Sequence, residues 1–148
     1  MSVENKALMQ RWFEEVWNKG REEGIDEMFS EDGVAHGLQD AHGNELFGPA
    51  GFKPFFKNFR SAFPDIEVII EDSVAEGDMV AVRCRVRGTH AGEGINVAAT
   101  RLPVDFAGIC IARINDGKIA EAWNNFDFLG LFQQIGALKL PASLPASE

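Results

Sequence analysis

The 148-residue chain contains no tyrosine, only two cysteines and three histidines, and far fewer basic than acidic residues. Each shortage excludes something. Without a phenol, a site that holds an oxyanion or orients water through tyrosine is ruled out in its usual form. Cys84, two residues from Val82 and Val86, and Cys110, between Ile109 and Ile111, lie in apparent strands and lack the spacing of a metal site, so both read as small buried hydrophobes. His36, His42 and His90 are too scattered to suggest a metal. With 14 basic against 23 acidic residues the net charge is -9, which disfavours nucleic acid, because phosphate contacts need clustered Lys and Arg. No apolar run approaches the roughly 20 residues of a membrane span, and "MSVENKALMQRWF" lacks the basic start and apolar block of a secretion signal. A soluble, cytoplasmic protein is expected. No GxGxxG, P-loop, Gly-x-Ser-x-Gly elbow or HExxH occurs, so the chemistry expected is proton transfer without cofactor or metal.

What is present is a large apolar fraction, 45%, with 12 Phe and 3 Trp. That suffices for one domain with a real core, assigned to residues 1–136. In "VENKALMQRWFEEVWNKG", Leu8, Met9, Trp12, Phe13 and Val16 recur at helical intervals, and Asn18 and Gly20 end the helix. "REEGIDEMFSEDG" predicts a shorter helix with Ile25, Met28 and Phe29 inward. "VAHGLQDAHGNELFG" reads as a short strand and a Gly-rich loop. "GPAGFKPFFKNFRSAFP" is a helix opened by Pro49, stopped by Pro64, and striped with Phe52, Phe55, Phe56, Phe59 and Phe63; Pro54 is placed in its first turn or so. The stripe suits a core and equally the wall of a ligand cavity.

From residue 66 the period changes to two. "IEVIIED", "MVAVRCRVRGTH", "LPVDFAGICIARI" and "KIAEAWNNFDF" read as strands joined by the turn-formers "EGD" and "NDG". A short helix, "FLGLFQQIG", follows, and the tail from 137 to 148 is expected to be mobile. The fold class is therefore α+β: N-terminal helices packed on a strongly curved, mainly antiparallel sheet. Helices over the concave side leave a cone-shaped, apolar pocket. Arg83, Arg85 and Arg87 share one strand face, suited to solvent, an interface or an anion site.

Alternation places Val80, Val82, Cys84 and Val86 inward, with His90 ending that row. On the last strand Trp123 favours the odd face as inward, bringing Asn125 and Asp127 with it. An inward Asp127 among aromatic rings would have a raised pKa and be poised for acid/base work. Alternatively, Asp127 caps the helix that begins at Phe128. Both readings stand on local sequence. His36 and His90 are structural histidines or cavity groups.

The segments "WFEEVWNKG", "GPAGFKPFFKNFRSAFPD", "VAVRCRVRGTHAGE" and "INDGKIAEAWNNFDFLGLFQQIG" resemble the SnoaL-like polyketide cyclases, or ester cyclases, of the NTF2-like superfamily, over roughly residues 4 to 136. The resemblance implies an α+β cone that forms a homodimer or higher homo-oligomer through the outer sheet face. It implies cofactor-free ring closure by intramolecular aldol condensation, with Asp127 at the position of the family's acid/base aspartate. His36 and His90 match positions where family members often carry histidine in or beside the pocket. The ligand expected is a small apolar or polycarbonyl molecule. Trp12, Phe13, Val16, Phe55, Phe59, Trp123 and Asn125 are the candidate binding residues. The stretch "AGEGINVAATRLPV" departs from the family's usual segment at the pocket rim. Two other functions fit the scaffold. One is an isomerase, dehydratase or hydrolase, for which the missing tyrosine is unfavourable and an Asp-Arg-Asp relay would have to use Arg113. The other is a non-catalytic binding domain.

Overall fold

The computed structural model describes residues 2–139 and 141, so most of the predicted mobile tail lies outside the described residues. Helix α1, Ser2–Arg11, runs directly into a π-helical segment, Trp12–Asn18. The wide turn is visible in its i→i+5 bond, Lys19 N–H to Glu14 O at 2.9 Å. The sequence predicts a helix here but not the change of pitch. Three devices end it. Gly20 adopts φ +70°, Arg60 donates to the Trp17 carbonyl at 2.7 Å, and Asn18 brackets Val68 of the sheet with a bond to its C=O and another from its N–H (3.0 and 2.6 Å).

Helix α2 is shorter than expected, Glu23–Met28. Phe29 already belongs to strand β1, Phe29–His36, which absorbs "FSEDG". Phe29 stays buried, so the apolar spacing was compatible with either element. Strand β2, Leu46–Phe47, leads into α3, Gly48–Ala62. Pro54 lies inside α3, deeper than its first turn, while Pro49 occupies the start where its missing N–H costs nothing. Strands β3 (Glu67–Glu76), β4 (Met79–Thr89), β5 (Pro103–Asn115) and β6 (Lys118–Phe126) form the predicted meander, and α4 covers Phe128–Gln134.

The six strands make one open mixed sheet in the order β2-β1-β6-β5-β4-β3. Neighbours pair antiparallel except β1 and β6, which run parallel. The helices lie on one face. Val80, Val82, Cys84 and Val86 of β4 are buried beneath them, as alternation predicts.

Strand β6 departs from simple alternation. Arg113 pairs with Glu121 but Ile114 pairs with Ile119, so Ala120 is an extra residue in β6, a bulge. Ile119 faces the core before it; Ala122, Asn124 and Phe126 do so after it. The expectation that Trp123, Asn125 and Asp127 face inward is thereby corrected. One extra residue exchanges the faces of everything downstream, and Trp123 and Asn125 lie on the outer side of the sheet.

Candidate active site

Between helices and sheet lies a cavity of about 70 Å³. The first helix contributes Met9, Trp12, Phe13 and Trp17, with both indoles on the π segment; α3 adds Phe52, Phe55 and Phe59. The sheet supplies Phe29, Ala35, Val86, Phe106, Cys110, Ala122, Asn124 and Phe126, and Phe128 of α4 closes the lining. Rings brace one another edge to face: Trp17 meets Phe52, Phe55, Phe56 and Phe59 at centroid distances of 6.1, 6.2, 5.5 and 5.9 Å, and Trp12 meets Phe52 at 5.2 Å. Such contacts add to the apolar area each ring buries and leave the walls little freedom. Phe55, Phe126 and Phe128 are only half-buried, which places the opening on their side.

Of the predicted binding residues, Trp12, Phe13, Phe55 and Phe59 line the cavity. Val16 does not. It is fully buried and packs under α2, where a side chain at Gly24 would press on it. Trp123 lies on the outer sheet face against His36, ring centroids 5.5 Å apart, and Asn125 is exposed on that face.

Asp127 is exposed and caps α4, its Oδ1 accepting the Gly130 N–H at 2.8 Å. Its neighbours in sequence, Phe126 and Phe128, both line the cavity, whereas Asp127 itself is not among the lining residues. Oδ2 has no hydrogen bond among the described residues. The capping role read from the sequence is realised in the geometry.

His90 is inward, as alternation predicts, and fully buried, but it packs on Phe63 with centroids 5.4 Å apart rather than on the cavity. Its Nδ1 accepts the Thr100 hydroxyl at 3.0 Å and the Thr100 N–H at 3.3 Å. These donors assign the ring proton to Nε2, which has no partner among the described residues. Backbone bonds from His90 to Leu102 and from Arg101 to His90 close the loop between β4 and β5. His90 thus holds that loop.

His36 faces outward. Its ring nitrogens bond Glu45 and Glu121, the latter at 2.7 Å, and these carboxylates, Glu121 foremost, raise its pKa above the ordinary histidine value. Arg113 joins the same cluster, bonding Glu121 at 2.9 Å and lying over Trp123. No arginine lines the cavity, and Arg113, the only candidate for an Asp-Arg-Asp relay, is on the opposite face. Burial pushes the thiols of Cys84 and Cys110 up to about 12, which leaves them neutral. Both are unpaired.

The sequence reading missed Asn124, the one amide in the lining. The signal was the run Ala122, Asn124, Phe126, an inward row once the Ala120 bulge is allowed for. It also missed Trp17, five residues beyond Trp12.

An open sheet wrapped on helices around a largely aromatic cavity defines an α+β cone. The sequence pattern of SnoaL-like polyketide cyclases matches residues 7–135, and the chain belongs to that family. It is 28% identical over 123 residues to the aklanonic acid methyl ester cyclase DauD of Streptomyces sp. (strain C5), covering 82% of this chain and 76% of that protein. Among solved structures it is similar to a candidate polyketide cyclase from Bacillus cereus, at 33% identity and TM-score 0.77 over 92% of this chain and 83% of that one. It is also similar to AclR, a candidate hydroxylase from Streptomyces galilaeus, at 29% identity and TM-score 0.80 over 96% and 91%. Among the described residues no helix is long and apolar enough to cross a membrane.

Proposed function

We propose that this protein closes a ring in a polycarbonyl substrate by intramolecular aldol condensation, without a cofactor. The observation that carries the reading is the cavity, lined by aromatic and aliphatic side chains and one amide and including Phe126 and Phe128, the residues on either side of Asp127. Kinship with the ester cyclases supports it. Asp127 takes a proton from carbon flanked by carbonyls through its unengaged Oδ2. The enolate carbon then bonds to a second carbonyl carbon of the same molecule, and the proton held on Asp127 passes to the new alkoxide. Trp12, Phe13, Phe55 and Phe59 exclude water and hold the chain folded, so that much of the rate comes from proximity. His36 and His90 serve as positioning groups, His36 for the end of β1 and His90 for the loop before β5.

Aklanonic acid methyl ester, and smaller polycarbonyl compounds scaled to the cavity, are the substrates to offer, with ring closure followed by absorbance. Asp127→Asn is expected to lower turnover by about 10²–10⁴-fold while keeping the fold, because Asn caps a helix as well as Asp. Asp127→Ala should lose the cap as well, at about 1 kcal/mol. Undiminished turnover in the Asn variant would sink the assignment.

A small-molecule-binding domain is the competing reading. It is favoured by Asp127 already having one oxygen engaged as a cap; ligand binding with no turnover of any polycarbonyl by the wild-type protein would select it. The outer sheet face is the surface on which we place self-association. Val74, Ile109 and Ile111 are 68, 48 and 38% exposed there, bordered by Arg83, Arg85 and their acidic partners, and an apolar band with a charged border suits a self-complementary contact. A cytoplasmic location suits two neutral, unpaired thiols.

A further inference from the structure

Among the described residues Asn124 is the one side-chain amide in the cavity lining, and its orientation is fixed from outside it. Its Nδ2 donates to the main-chain carbonyl of His36 at 2.9 Å. A carbonyl accepts and never donates, so this bond assigns which end of the amide is nitrogen. The acceptor is itself held. His36 is the last residue of β1, its ring is gripped by Glu45 and Glu121 and stacked on Trp123. Immediately after it, Gly37 turns away at φ +82°, where a Cβ would overlap the main-chain carbonyl of Asn124. Two groups of the amide remain unspent: the second N–H and Oδ1. Neither has a partner among the described residues. Among the described residues only His90 Nε2 is both sealed and unpaired, so Asn124 Oδ1 is accessible, and Asn124 is a lining residue of the cavity.

A polar amide among rings costs stability unless something there uses it. We propose that Asn124 reads the substrate. Its free N–H donates to a carbonyl oxygen of the bound molecule and stabilises the negative charge that oxygen gains on enolisation or on attack. This inference rests on the aldol reading for the charge but not for the recognition, which requires only a ketone. Asn124 and Asp127 are three residues apart, about 10 Å of strand, with Phe126 between them. The class of substrate that fits has an aromatic or conjugated ketone at Asn124 and its acidic carbon displaced toward Asp127.

The test uses unreactive probes on the full chain: acetophenone against ethylbenzene, similar in shape and differing by the carbonyl. Binding is followed by NMR titration, including the Asn124 side-chain amide signal. Wild-type protein is expected to bind acetophenone about tenfold more tightly, with the Asn124 amide proton shifting for the ketone only. Asn124→Leu is expected to erase that preference, and Asp127→Asn to keep it. Equal affinities in the wild type, no binding of acetophenone, or a preference that survives Asn124→Leu would each overturn the proposal. Should the Leu variant fail to fold, the wild-type amide shift decides alone. A ketone preference in a protein that closes no ring would leave Asn124 as the reader and remove the aldol function instead.

Discussion

The two faces of the sheet are made by the same strands and hold opposite chemistry. On β4 the inner residues Val80, Val82, Cys84 and Val86 are sealed under helices and rings. The outer residues Arg83 and Arg85, one position away in each case, pair with Glu71, Asp72 and Asp105. Burial of apolar area supplies free energy on the inside, whereas exposed ion pairs supply little. The difference teaches that apolar packing and the cavity belong to one face and the ion pairs to the other, with β6 as the strand where they meet. There Asn124 reaches inward while its anchor, His36, is clamped outside.

The comparison is broken most severely from within. Phe52→Ala removes a buried ring that contacts Trp12, Trp17, Phe29 and Phe55; it should cost about 4 kcal/mol in urea denaturation. A loss below about 1 kcal/mol would mean that the wall collapses freely and is no rigid cavity.

An intermediate effect is expected from His36. Its folded-state pKa is raised, so the stability it contributes is complete below its unfolded value of about 6.5 and is lost as pH rises through the higher folded-state value. The stability difference between wild type and His36→Gln should therefore be largest near pH 6, about 1 kcal/mol given partial exposure, and shrink toward pH 9. A difference independent of pH would show that the charge on His36 contributes nothing.

The smallest effect on folding is expected on the outside. Ile111→Lys should change the unfolding free energy by less than about 0.5 kcal/mol yet shift the protein to monomer in sedimentation velocity. A wild-type monomer, or an oligomer indifferent to Ile111→Lys, would separate the outer face from assembly.

The strands, their turns and the aromatic helices were legible because each is written locally, in periods of two or in rings at helical spacing. Trp12, Phe13, Phe55 and Phe59 could be placed at the cavity for that reason. Trp123 and Asn125 could not. Their face is decided by Ala120, a bulge residue with no distinctive chemistry, and the error spreads to every later residue of the strand. Phe29 failed in another way, since an inward ring fits the end of a helix and the start of a strand equally. The cap at Asp127 was readable from residue type alone. Its relation to the cavity required knowing where Phe126 and Phe128 point.

The π-helical turn at Trp12–Asn18 has a consequence for how such a chain can diversify. A helix in that state carries one residue more per turn than its neighbours need, so losing a single codon there would return it to ordinary pitch without a chain break. The residues beyond the lost position would keep their faces, and only the spacing of the rings within the wide turn, Trp12 to Trp17, would change. The wide turn is thus the place where the first helix can change length by one residue with the sheet and its outer contacts left untouched.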